Sequence, residues 1–354
     1  MRKNLLYIIF VILGCLILIY MGVPSKSRQG NNGFKRNFKH SNITIANVLK
    51  LESSAFDFVG KPENNILLRG YQNTQTLFEI DNSLANIKSF NLELPSSFNI
   101  KSTYVNIGAF MSSLYFTNPY GDVAIIGYKN KFSIGYKVQK LVFDQAKLIS
   151  NSSMIVRAIK GDGKERIREL IKVNLGKNRN LDKDTKYLLP KQIDGTFCND
   201  GWLHYDKVQS KIFYTYYYRG AFLCLDTNLN LIFKGKTIDT VHFAKIKLSE
   251  YNEKEKNGTS NKKITQASTD NLINWCYTTD KDKIYIVSGL KADNESPDDF
   301  EKNNPIDIYS IKDGRYLYSI YIPKYKGYRI NGFEVNGNLL VAIFDRYLVT
   351  FAVK

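Results

Sequence analysis

KIFYTYYY (Lys211–Tyr218), AFLCL (Ala221–Leu225) and LIFKGKTI (Leu231–Ile238) are three β-rich runs in close succession. The second and third are separated by the turn Asp226-Thr227-Asn228. Aromatic and β-branched residues dominate them, as they do in pleated, half-buried strands. With Gly195–Tyr205 ahead of them, they read as four antiparallel strands joined by short turns. The next stretch repeats the layout. It runs Ile273–Thr278, KIYIVS (Lys283–Ser288), IDIYSI (Ile306–Ile311), the turn Lys312-Asp313-Gly314, and RYLYSIYI (Arg315–Ile322).

Upstream, Ala55–Val59, NILLRG (Asn65–Gly70), TLFEI (Thr76–Ile80) and Ile87–Leu94 form a unit of the same kind. Val105–Tyr136 and Phe143–Leu189 fit the template more loosely. The body from Ile43 to Lys354 divides into six such units of about 50 residues, a period that marks stacked or radial repeats. The last unit has only three strands: Gly332–Val335, LLVAIF (Leu339–Phe344) and Tyr347–Val353. ITIANVLKL (Ile43–Leu51) is a strand with no place in the first unit. Set as the fourth strand of the last unit, it closes a ring and removes a free edge. The expectation is an all-β, six-bladed β-propeller with four-stranded antiparallel blades, preceded by one N-terminal transmembrane helix.

This layout resembles the six-bladed propellers of the TolB-like and NHL-like kind, found in bacterial envelope proteins. The resemblance spans residues 43–354 and rests on blade layout. It implies a funnel-shaped channel with binding on one face, and no particular reaction.

The N-terminus adds a different element. Arg2 and Lys3 precede LLYIIFVILGCLILIYM (Leu5–Met21). Seventeen residues span about 26 Å as a helix, near the lower limit for crossing a bilayer. Residues 1–21 are read as a membrane anchor or signal sequence, 22–42 as a flexible linker, and 43–354 as the propeller domain. A cleaved signal peptide and a lipoprotein acylated at Cys15 (Ile12-Leu13-Gly14-Cys15) are the alternatives. The expected location is the bacterial cytoplasmic membrane with the body on its periplasmic or outer side. Lys26, Arg28, Lys35, Arg36 and Lys39 argue against that orientation under the positive-inside rule.

The net charge is +17, carried by 50 basic residues of which 38 are Lys. They are scattered and accompany no nucleic-acid signature, so nucleic acid is not an expected partner. Cys198, Cys224 and Cys276 show no C-x-x-C spacing, and only three histidines exist. No metal site and no cofactor is expected on those counts. No phosphate loop and no G-x-S-x-G elbow appears, and no catalytic residue is assigned.

The candidate ligand contacts are Arg69, Arg219, Arg346, Asp194 and Trp275. The three arginines end second strands (LLRGY, YYRGA, FDRYL) in the first, fourth and last units. They are read either as an arginine-lined mouth for an anion or as ties within their own blades. Trp202 and Trp275 are read as sugar-stacking or core residues. DGWLHYD puts Asp200, Trp202, His204 and Asp206 on one strand face, either an acid–base set or a blade-edge network. Glu250–Thr269 and Lys291–Asn304 are long inter-strand insertions. The second holds the acidic cluster Asp293, Glu295, Asp298, Asp299 and Glu301, either a surface loop or a calcium site. The function expected from all this is a membrane-tethered binding or scaffold module for a protein, peptide or glycan. An envelope lyase or hydrolase with its site over the channel is the alternative.

Overall fold

A computed structural model describes residues 32–39, 42–60, 65–71, 73, 75–99, 104–129, 132–161, 165–176, 188–254, 260–267 and 272–353. The chain is an all-β six-bladed propeller with four-stranded antiparallel blades. Blade 1 contains β2 (Phe56–Gly60), β3 (Ile66–Gly70), β4 (Thr76–Ile80) and β5 (Ile87–Asn91). Blade 2 contains β6 (Asn106–Phe110), β7 (Ser113–Thr117), β8 (Asp122–Gly127) and β9 (Ser133–Lys137). Blade 3 contains β10 (Val142–Ser150), β11 (Ser153–Lys160) and β12 (Ile167–Asn174). The chain that follows β12 includes 177–187, outside the described residues, so the fourth strand expected of this unit is not among those described.

Blade 4 contains β13 (Gly201–Asp206), β14 (Lys211–Tyr216), β15 (Ala221–Leu225) and β16 (Leu231–Lys236). A hairpin of β17 (Leu248–Lys254) and β18 (Ser260–Gln266) follows, formed by the first long insertion. Blade 5 contains β19 (Asn274–Asp280), β20 (Lys283–Ser288), β21 (Asn303–Ser310) and β22 (Tyr316–Pro323). Blade 6 contains β23 (Gly332–Asn336), β24 (Leu339–Phe344) and β25 (Tyr347–Val353). Its fourth strand is β1 (Ile43–Lys50), antiparallel to β25 from Ile43 opposite Val353 to Lys50 opposite Tyr347. Six hydrophobic clusters hold the ring, one between each pair of neighbouring blades. Middle strands are covered on both faces by adjacent blades, so β7 (SLYFT) and β8 (DVAIIG) are buried throughout. The innermost strands β2, β6, β10, β13, β19 and β23 touch in that order and close on themselves.

Residues 32–39, read from the sequence as part of a flexible linker, are instead docked on blade 5. Lys39 N–H donates to Ser319 O at 2.9 Å, and Ser319 N–H to Asn37 O at 2.9 Å. Phe38 stacks on Tyr321 with ring centroids 4.2 Å apart. Arg36 is buried; its Nε meets Asp307 Oδ1 at 2.7 Å and its Nη1 meets Glu295. Composition misled here because one buried guanidinium, with two carboxylates waiting, outweighs a polar stretch's lack of apolar surface.

The acidic insertion supplies that receptor. Asp293 accepts from the N–H groups of Asn32 at 2.7 Å and Gly33 at 3.1 Å. Glu295 also accepts from Tyr321 Oη at 2.6 Å. Ser296 caps the short helix α1 (Pro297–Lys302), accepting from Asp299 N–H. Among the described residues, no helix is long and apolar enough to cross a membrane. The apolar run 5–21 lies outside the described residues.

Candidate functional site

The six innermost strands enclose a funnel of about 570 Å³. Strand pleat sends alternate side chains towards it. On β10 a register shift between Phe143 and Gln145 interrupts that alternation: Phe143 and Leu148 pack in the blade cores, while both Asp144 and Lys147 reach the funnel. On β13 it is Trp202 and His204 that do so, on β19 Tyr277, and on β23 Glu334.

One wall is an ion-pair network. Arg157 holds Asp144 through Nε (2.7 Å) and Nη2 (2.8 Å), and its Nη1 reaches Asp200 Oδ1 at 2.5 Å. Arg168 pairs with the same Asp144 and lies 3.4 Å from Asp200 Oδ2. Burial alone would raise the Asp144 carboxyl, but Arg157 and Arg168 hold it below the ordinary carboxylate value. Across the ring, Arg69 pairs with Asp57 Oδ2 at 3.1 Å and donates to Val105 O. The Tyr71 hydroxyl also donates to Asp57, and burial with that carboxylate pushes the phenol up to about 12. These six charges are mutually satisfied.

Two charges are not. Lys147 and Glu334 line the funnel, and neither forms an ion pair among the described residues. Glu334 Oε2 accepts from Thr278 Oγ1 at 3.2 Å. Burial lowers the Lys147 amine, with the charge of Glu334 opposing and that of Arg69 adding to the effect. His204 Nε2 lies 2.9 Å from Thr279 Oγ1. Burial, and then the charge of Lys147, pushes that imidazole down to about 4, so it is neutral at physiological pH.

Aromatic faces complete the site. Tyr71, Tyr104 and Trp202 are all exposed and line the funnel. The Trp202 indole is fixed by its Nε1–H to Trp275 O at 3.0 Å and by an edge contact to Tyr217.

Of the residues singled out in the sequence, only Arg69, Asp200, Trp202 and His204 reach this funnel. Arg219 is buried, stacked 3.6 Å from the Tyr216 ring centroid and bonded to Asn199 Oδ1. Arg346 sits in the turn between β24 and β25, its Nε 3.6 Å from Asp345. The three arginines therefore do not share one mouth. Asp194 caps the 3-10 turn at Phe197–Asn199, accepting from the N–H groups of Phe197 and Cys198, each at 2.8 Å. Trp275 packs against the core between blades 5 and 6. Asp206 turns away to accept from Val208 N–H and Gln209 N–H.

Asp144, Lys147, Arg157, Arg168, Tyr104 and Glu334 were not foreseen. A signal existed in β10 and β11, where VFDQAKLIS and SMIVRAIK carry isolated charges inside apolar strands.

No family model matches the chain, and no curated protein matches it. Among solved structures, a member of the DUF4221 family from Bacteroides vulgatus is similar at 13% identity and a TM-score of 0.54. That match covers 90% of this chain and 99% of the other. A streptogramin B lyase is similar at 10% identity and a TM-score of 0.49, covering 90% of this chain and all (100%) of the other. Virginiamycin B lyase from Staphylococcus aureus is similar at 10% identity and 0.47, covering 89% and 100%. The likeness to the DUF4221 member shows the propeller fold and is not specifically of the TolB-like or NHL-like kind.

Proposed function

We propose that this chain is a membrane-tethered binding module whose ligand seats in the central funnel. The observation that carries the reading is the funnel itself. About 570 Å³ is enclosed by all six blades, and ligand sites commonly measure roughly 300–1,000 Å³. Aromatic faces at Trp202, Tyr104 and Tyr71, the first held by Trp275 O and the last by Asp57, stand beside charges already locked in pairs. Such a surface is pre-organised, so little ordering entropy opposes a ligand. Binding is favoured over hydrolysis or elimination because Asp144, Asp200 and Asp57 are held by arginines and the His204 imidazole is pushed down to about 4. Among the described residues, no carboxylate–imidazole pair is assembled there to move a proton.

The tether in this reading is the apolar run 5–21, with the body outside the cytoplasm; it rests on the sequence. The docking of residues 32–39 on blade 5 supports a short leash. Ten residues lie between Met21 and Asn32, a covalent reach of at most about 35 Å.

The test is a saturation-transfer NMR panel of alanine peptides and neutral disaccharides against wild type, Trp202→Ala and Tyr104→Ala. At least one class is expected to bind wild type and to weaken about tenfold or more in the variants, since stacked aromatics dominate such sites. Binders indifferent to both substitutions, or no binder at all, would contradict the reading. Retention of the full-length chain in membranes through an alkaline carbonate wash tests the tether.

A further inference from the structure

We propose that the funnel takes a small zwitterion, an amino acid or short peptide with both termini free, its carboxylate on Lys147 and its ammonium on Glu334. This rests on the reading of the funnel as a ligand site and names the chemistry of what fills it.

Most of the funnel's charges are already paired. Arg69 is paired with Asp57, and Arg157 and Arg168 share Asp144 and Asp200. Among the described residues, Lys147 and Glu334 alone of the funnel's charged groups form no direct ion pair, and each feels the other's charge across the space between them. Lys147 stands on β10 of blade 3 and Glu334 on β23 of blade 6. In a ring of six those blades are diametrically opposed, so the two charges face one another across the axis.

Unpaired charge in a confined site is unfavourable, and a fold keeps it where something else neutralises it. Each simpler ligand class leaves a defect. A neutral sugar satisfies neither group. A lone anion meets Lys147 and leaves Glu334 unpaired. A lone cation meets Glu334 and is repelled by Lys147, and Arg69 lies near enough to add to that repulsion. A molecule with one charge of each sign at opposite ends answers both. Thr278 Oγ1 holds the Glu334 carboxylate in place, while Lys147 has a flexible four-carbon stem that adapts to ligand length. Tyr277 and Trp202 line the same space and offer aromatic surface to a side chain.

The experiment is calorimetric titration of the full chain with alanine, dialanine and trialanine. It is followed by the N-acetylated and C-amidated forms of whichever binds best, with chitobiose as the neutral probe. The free zwitterion is expected to saturate one site, and blocking either terminus to weaken it about tenfold or more. Lys147→Met should erase the penalty for amidation and Glu334→Gln the penalty for acetylation. Blocked peptides that bind as well as free ones overturn the proposal, as do variants that keep both penalties. The blocked-ligand series needs only wild-type protein, so a variant that fails to fold does not shield the idea. Silence from all three zwitterions with chitobiose binding lost in Trp202→Ala overturns the zwitterion and leaves the funnel site standing. Binding of every probe indifferent to Trp202→Ala overturns both.

Discussion

Ile43 lies directly opposite Val353, so the start of the folded body is laced to its end. That pairing gives the three-stranded sheet β23–β25 its fourth strand and closes the ring, and it sets up every cross-channel relationship in the funnel.

Closure makes a stability prediction. Leu51, just after β1, is buried between blades 1 and 6, whereas Val48 within β1 is exposed. Leu51→Ala should cost about 2–4 kcal/mol, and Val48→Ala no more than about 0.5 kcal/mol. Urea unfolding checks both. Amide exchange in 347–353 should accelerate only in the first.

The strap at residues 32–39 makes another. Arg36→Met strands Asp307 and Glu295, both buried, without their cation. Breaking such a group by removing one partner costs about 3–5 kcal/mol. Adding Glu295→Gln and Asp307→Asn should recover a good part of the loss. Thermal melts of the single and triple variants decide it; a triple variant no better than the single contradicts the account.

Asp144 predicts an acid dependence. Its folded pKa lies below the ordinary value, because Arg157 and Arg168 outweigh burial. Its contribution is therefore complete above the unfolded pKa of about 4 and is lost as pH falls below it. Asp144→Asn should destabilise the protein at pH 7, and the gap to wild type should narrow as pH drops below about 4. Unfolding curves across that range measure it; a constant gap would contradict the assignment.

His204 predicts the opposite kind of silence. With its imidazole pushed down to about 4, its ring resonances should stay flat from pH 8 to pH 5. Because the folded pKa is depressed below the unfolded value of about 6.5, its stability contribution is full above that value and declines as pH falls towards the folded one. An NMR titration showing a midpoint near 6.5 would contradict the burial described.

The fold was legible because propeller blades repeat, and repetition survives weak individual strands. KIFYTYYY and AFLCL announce middle strands covered on both faces, and ITIANVLKL announces closure by having no other partner. The site was less legible. Arg69, Arg219 and Arg346 look equivalent in the sequence of their units, yet Arg69 lies inside β3 while Arg219 and Arg346 lie three and two residues beyond the ends of β14 and β24. That is enough to bury one on Tyr216 and leave another at the surface. Asp144 and Lys147 belong to β10 of blade 3 and Glu334 to β23 of blade 6, so only ring closure brings the pair and Glu334 together. Arg36 was hidden for a related reason: its partners lie 259 and 271 positions away.

The central claim is that the funnel is where this protein binds. Trp202 is one of two tryptophans and the one that lines that space. In Trp275→Phe protein its emission is a reporter of occupancy. Titrating dialanine and chitobiose into that protein should give a saturable change in emission with at least one probe, at the concentration where calorimetry registers heat. Calorimetric binding with Trp202 emission unchanged would place the ligand elsewhere and contradict the account.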